Sequence, residues 1–217
     1  MLTKDIMTTN VITIPSDTPI MEAKKIMDFH RIERLPVVDR GKLVGIVTKD
    51  TLLRAGPSEA TSLSVWELNY LLAKMTVKQI MKKNVVTATL DTTVECAIAT
   101  AQSNRVGSLP IMEGDKVVGI LTTNDVFYKI LNPLMGIGED GSRIIVYGAG
   151  EAEQLQKVME CINKSGVGIK AVGTVKSAEA GKENDLLIHL DTEDVSQIIA
   201  QLKSVGFSVD ERSHKAC

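Results

Sequence analysis

The chain has 217 residues, a length for one or two domains, and its 44% hydrophobic side chains suffice for ordinary cores. A net charge of −2, from 25 basic and 27 acidic side chains, supplies no field for nucleic acid or an anionic membrane. Aromatics are only 3% and scattered, which argues against a base-stacking platform and leaves Val, Ile, Leu, Ala and Met to fill the cores.

No apolar run approaches the roughly 18–20 residues of a membrane span. The opening MLTKDIMTTN lacks the apolar core of a signal peptide. Cys96, Cys161 and Cys217 are far apart and form neither a metal-ligand spacing nor a redox pair, which points to a reducing, cytoplasmic setting. Cys96 and Cys161 fall in helical patterns and are expected as small core residues, with Cys217 a terminal thiol.

Residues 3–53 repeat without a gap as residues 77–127. Identical pairs include Ile6/Ile80, Met7/Met81, Thr13/Thr87, Leu35/Leu109, Pro36/Pro110, Gly45/Gly119 and Thr48/Thr122. Such a repeat outranks any local signal. Each copy starts with a short strand, VITI or VVTA. A helix follows. In copy one Thr18 is expected to cap it with Pro19 at the first helical position, and in copy two Thr92 to Glu95 fits a capping box. Apolar residues then recur at helical spacing: Ile20, Ala23, Ile26 and Met27, and Val94, Ala97, Ile98 and Ala101. Two strands joined by Asp39-Arg40-Gly41 or Glu113-Gly114-Asp115 suit tight hairpins. A last helix begins after Thr48 or Thr122. The unit is β-α-β-β-α.

Between the copies, Gly56-Pro57-Ser58 breaks the chain, and Ser64 to Glu67 opens a helix with Trp66, Leu68, Leu71, Leu72 and Met75 around much of its girth. A helix so apolar must be buried, between the repeats or against another subunit. The domains read as 1–56 and 76–131 for the copies, with an inter-repeat helix over 57–75. Residues 132–141 form a Pro- and Gly-bearing linker. Residues 142–213 read β-α-β-β-α-β, with helices over 151–164 and 193–204, an order that predicts a ferredoxin-like sheet with both helices on one face. The fold class is α+β.

A strand running into a helix presents unpaired N–H groups and the positive end of the helix dipole, which suits phosphate. A Thr hydroxyl adds a donor. An Asp three residues later can accept from the two hydroxyls of a ribose, as acidic residues do in dinucleotide folds. Thr122 and Asp125 have that spacing; Thr48 is followed by Thr51 instead. Thr-x-x-Asp is equally a helix-capping pattern that needs no ligand.

The pattern T-x-x-h-M, V-x-T, R-h-x-x-L-P-V-h-D and G-K-L-V-G-I-V-T resembles the cystathionine-β-synthase (CBS) domain, and the two copies over residues 1–131 resemble a Bateman module. The last third resembles an ACT domain. The middle segment PSEATSLSVWELNYLLAKM followed by TVKQIM is similar to AcuB-type acetoin-utilisation proteins.

The resemblance implies a regulatory protein that binds AMP, ADP, ATP or S-adenosylmethionine as ligand rather than as cofactor. It implies a second site with Thr87 and Ala88 at the base, Ser108, Leu109 and Pro110 on the wall, Thr122 at phosphate and Asp125 at the ribose. It implies a first site with Thr13, Ile14, Pro15, Leu35, Pro36 and Thr48, and Arg34 near phosphate. Thr51 departs from the pattern there, so the first site is expected to be weaker, phosphate-dependent or vacant, with Arg31, Arg34 or Arg54 as compensating cations. The ACT resemblance implies an amino-acid-like effector near Gly148, Ala149 and Gly150, which could equally just end a strand.

His30, His189 and His214 are separated, and no Ser/His/Asp or Cys/His arrangement is legible, so no catalytic residue and no metal site are expected. The alternative to a sensor is an interaction scaffold with a vestigial cleft. Two pairing modules and the apolar middle helix favour a homodimer.

Overall fold

The computed structural model describes residues 1–55, 74–178 and 183–212. Residues 57–73 of the expected inter-repeat helix, Gly181, His214 and Cys217 lie outside the described residues. The chain divides into two compact units, Met1–Val126 and Phe127–Cys217.

In the first unit, copy one comprises α1 (Thr3–Ile6), α2 (Ile20–His30), β1 (Arg34–Asp39), β2 (Lys42–Thr48) and α3 (Lys49–Arg54). Copy two comprises α4 (Val77–Ile80), β3 (Ala88–Thr89), α5 (Val94–Ser103), β4 (Ser108–Glu113), β5 (Lys116–Thr122) and α6 (Thr123–Val126). Both hairpins close as their turns require. Arg40 and Gly41 sit at φ 49° and 79°, and Gly114 at 57°, the left-handed region that matches strand twist in a two-residue turn. Each hairpin carries an irregularity at the same place, Val37/Val38 and Ile111/Met112. Leu35 and Val37 of β1 join Ile20, Ala23 and Met27 of α2 in one buried cluster, the period of a strand meeting the period of a helix.

Three local expectations shift. VITI reduces to a single parallel bridge, Ile14 to Val37, because Pro15 has no N–H to continue the ladder; VVTA keeps only Ala88, which with the following Thr89 forms β3. Pro19 is the N-cap of α2 rather than its first residue, and Thr18 does not cap, because Pro19 bridges to Thr76 and is held extended. The cap of α5 is Thr93, whose hydroxyl accepts from Cys96 N at 3.3 Å, while Thr92 Oγ1 accepts from Thr89 N at 3.0 Å. Cys96 is consequently exposed on the first turn of α5, against expectation, whereas Cys161 is buried.

The two copies exchange their leading segments. Thr3 N donates to Thr92 O at 2.9 Å, and its counterpart Val77 N donates to Thr18 O at 2.8 Å. Thr8 pairs with Ile120 of β5, and Lys82 with Ile46 of β2. Each copy therefore completes the edge of the other, which ties the repeats into one pseudo-twofold pair.

The second unit begins with a π-helical segment (Phe127–Leu131) and α7 (Asn132–Met135), then β6 (Ser142–Val146), α8 (Ala152–Ser165), β7 (Ile169–Val175), β8 (Asp185–Leu190), α9 (Ser196–Ser204) and β9 (Val209–Arg212). The sheet runs β7-β8-β6-β9, antiparallel throughout, which is the ferredoxin-like order. Ile144, Val146, Leu186, Ile188 and Leu190 face Val158, Ile162, Ile198 and Leu202 of the two helices in one core. Helix α9 starts later than its periodicity implies, because Asp194 Oδ1 accepts from Ser196 N at 2.9 Å and holds the preceding residues in a turn. The stretch expected as linker contains α7, whose closing Gly136 (φ 63°) packs against the ring of His189.

Candidate functional site

A cavity of about 250 Å³ lies in the first unit beside the end of β2. Thr48 and Thr51 line it from copy one, together with Arg34 at the start of β1 and Ile46. Copy two contributes Lys82, Val85, Val86 and the stretch from Arg105 to Ser108. The lining mixes branched apolar side chains, Ile46, Val85, Val86 and Val106, with hydroxyls and cations, and both copies contribute to each kind. Such a mix of apolar wall and a few convergent polar groups is how small-molecule sites are built.

The sequence reading drew the residues of each site from a single copy; this cavity draws on both. The reason is the exchange of leading segments, which carries Lys82 to Val86 onto the edge of copy one. Arg34, Thr48 and Ser108 are brought together at the cavity, and Arg105 joins them. Thr13, Ile14 and Pro15 do not line it, nor do Arg31 and Arg54; Arg54 instead pairs with Asp50 at 2.9 Å. Thr87 is exposed, and Ala88 is buried in β3 against Ile111. Leu35 and Leu109 are fully buried, because strand alternation turns them to the opposite face from Arg34 and Ser108. Pro36 and Pro110 are buried in the same strands. Lys82 and Arg105 were missed, and the signal available was the 74-residue offset of the repeat, which relates Lys82 to Thr8.

The two Thr-led turns differ in what satisfies them. At the first, Thr48 Oγ1 accepts from Thr51 N at 3.2 Å and shares a hydrogen bond with Thr51 Oγ1 at 2.9 Å. At the second, Asp125 Oδ2 accepts from Thr122 N at 2.8 Å and from Thr122 Oγ1 at 2.6 Å, while Oδ1 accepts from Thr8 Oγ1 at 3.0 Å. Asp125 is only 7% exposed. The capping role is realised in both turns, and the carboxylate of the second is held by Thr122 and by Thr8.

In the second unit, Gly148 N donates to Asp185 Oδ1 at 2.9 Å, and Gly150 lies so close to Asn184 that a Cβ would stand 2.6 Å from that residue's Cβ. Ala149 is fully buried. Gly150 thus serves close packing, whereas Gly148 has open space where a Cβ would stand and supplies a left-handed φ of 66°. A cavity of about 100 Å³ opens elsewhere in the unit, beside Leu134, Arg143 and His189. Among the described residues no group of three His, Cys, Asp or Glu is placed to hold a metal ion, and no helix is long and apolar enough to cross a membrane.

The CBS domain profile matches residues 4–58 and 77–132, half of the chain. The chain is 36% identical over 129 residues to L-aspartate semialdehyde sulfurtransferase of Methanocaldococcus jannaschii, covering 58% of this chain and 22% of that protein. It is 29% identical over 178 residues to the inosine-5'-monophosphate dehydrogenase of Thermoplasma acidophilum, covering 82% of this chain and 32% of the relative. The chain thus spans about a fifth to a third of these curated relatives, and both carry the name of an enzyme. Among solved structures, a Vibrio cholerae protein assigned to acetoin utilization (AcuB) aligns with TM-score 0.51 at 26% identity, over 61% of this chain and 91% of that one. CBSX2 in complex with AMP aligns with TM-score 0.50 at 25% identity, over 60% and 96%. With both repeats matched and the paired architecture shared, the chain belongs to the CBS-domain family.

Proposed function

We propose that the CBS pair is a non-catalytic sensor that binds an adenine nucleotide or a related adenosine compound such as S-adenosylmethionine in the cavity shared by its two copies. The observation that carries this reading is the cavity itself: Val85, Val86 and Val106 offer apolar wall for a flat base, and Thr48, Arg34 and Lys82 in the same lining serve the polar end. The AMP complex of CBSX2 is consistent with it. Occupancy acts on a partner only in so far as the ligand binds one arrangement of the copies better than another, and the exchanged leading segments are the elements whose seating it would bias.

The test is thermal melting of the chain with AMP, ADP, ATP, adenosine and S-adenosylmethionine. A ligand at 100 times its Kd stabilises by about 2.7 kcal/mol, a readily measured shift. No shift with any of them favours the second reading, a scaffold with a vestigial cleft. That reading has one observation of its own: Thr122, Asp125 and Thr8 satisfy one another without a ligand. The ferredoxin-like order supports an ACT-type role for the second unit, with an amino-acid-like effector. A homodimer and a link to acetoin catabolism belong to the same proposal. Sedimentation at micromolar concentration tests the dimer.

A further inference from the structure

The two clefts of the pair share one frame and differ in charge. Lys82 exchanges two backbone hydrogen bonds with Ile46, at 2.9 and 3.0 Å; its counterpart Thr8 exchanges two with Ile120, at 2.9 and 3.0 Å. Both side chains therefore start from matched positions beside the strand that ends in Thr48 or Thr122. At one cleft the facing residues are Thr8 and Asp125, joined by a hydrogen bond. At the other they are Lys82 and Thr51, both on the cavity wall. A carboxylate has gone and an ammonium has arrived.

Two more cations complete the cavity. Arg105 joins from copy two, and the Arg34 guanidinium reaches across from copy one to Gly107, where a Cβ would stand 2.6 Å from Nη2. The absence of a side chain at Gly107 leaves space for the guanidinium in this position. None of the three has an ion-pair partner among the described residues, and no Asp or Glu lines the cavity. Like charges gathered around one cavity repel each other and are relieved by an anion of several charges. Guanidinium groups match phosphate oxygens in pairs. A ribose diol, by contrast, meets no carboxylate: Thr51 stands where the other copy has Asp125, and its hydroxyl is already engaged with Thr48.

We infer that the Thr48–Thr51 cavity is a polyphosphate site. It takes the phosphate chain of a nucleoside di- or triphosphate on Arg34, Lys82 and Arg105, and it does not read the ribose hydroxyls. The nucleoside part rests on the function proposed above; the phosphate part stands without it.

The experiment is calorimetric titration of the full chain with inorganic tripolyphosphate, ATP, 2',3'-dideoxyATP and adenosine. Tripolyphosphate is expected to bind and to be displaced by ATP and dideoxyATP with affinities within about threefold of each other. Lys82→Gln is expected to weaken tripolyphosphate and ATP about tenfold, the effect of one lost charge-assisted contact. Lys83→Gln, next along the chain and outside the cavity, should change neither. Circular dichroism melts confirm that both variants fold. Absence of tripolyphosphate binding, an unchanged affinity in Lys82→Gln, or a loss beyond threefold for dideoxyATP overturns the inference. Adenosine binding with no tripolyphosphate binding removes this inference and keeps the nucleoside sensor; tripolyphosphate binding with no gain from the nucleoside does the reverse.

Discussion

Met81 of copy two lies over Gly45 of copy one, so close that a Cβ at Gly45 would stand 2.6 Å from its sulfur. Met7 of copy one covers Gly119 of copy two in the same way. The glycine in each repeated G-I-V-T or G-I-L-T strand end is thus required by the other copy's leading segment, and not by its own backbone angle.

Gly45→Ala should therefore destabilise the pair by about 1–3 kcal/mol, the range for overpacking a close contact. Met81→Ala in the same chain should recover part of that loss. Urea denaturation of the single and double variants measures the coupling, and strictly additive effects would refute the contact.

Asp125 takes donors from two elements, Thr122 of the turn and Thr8 of the exchanged segment. Asp125→Ala should cost more than the roughly 1 kcal/mol of an ordinary lost cap. Thr48→Val, at the matching turn with no carboxylate, should cost about that ordinary amount. Equal losses in chemical denaturation would show that the Thr8 tie contributes nothing.

The Asp39 carboxylate accepts the Ser16 N–H at 2.9 Å, and this hydrogen bond holds its pKa below the ordinary 3.8. Ser196 N–H does the same to Asp194. Because the folded pKa values are lowered, the stabilisation is complete above the unfolded value and is lost as pH falls through the folded one. Denaturation midpoints followed from about pH 5 down to about pH 2 should drop, and Asp39→Ala should flatten part of that drop. An unchanged pH profile in that variant counts against the assignment.

Gly136 sits at φ 63° with the His189 ring directly against it, and His189 is 2% exposed with its Nε2 2.9 Å from Asp140 O. Gly136→Ala has neither the backbone freedom nor the space, and should lower the melting of the second unit by several degrees. Backbone amide protection by hydrogen exchange, read separately over residues 1–126 and 142–212, should fall only in the second range. A uniform loss would place the effect elsewhere.

The amino-acid sequence alone determined the duplication, both hairpins with their left-handed turns, the β-α-β-β-α-β order of the last third and the capping potential of Thr-x-x-Asp. These are short-range properties: periodicity, turn chemistry and caps are set by residues within a few positions of one another. Tertiary structure alone decided that Lys82 and Arg105 face Thr48 and Thr51, that Pro19 is drawn out of its helix by Thr76, and that Cys96 points to solvent. Those outcomes depend on which copy a leading segment pairs with. Hydropathy does not carry that information, because either edge would satisfy the same backbone hydrogen bonds; the choice is made by side chains far apart along the chain, such as a methionine that fits only over a glycine.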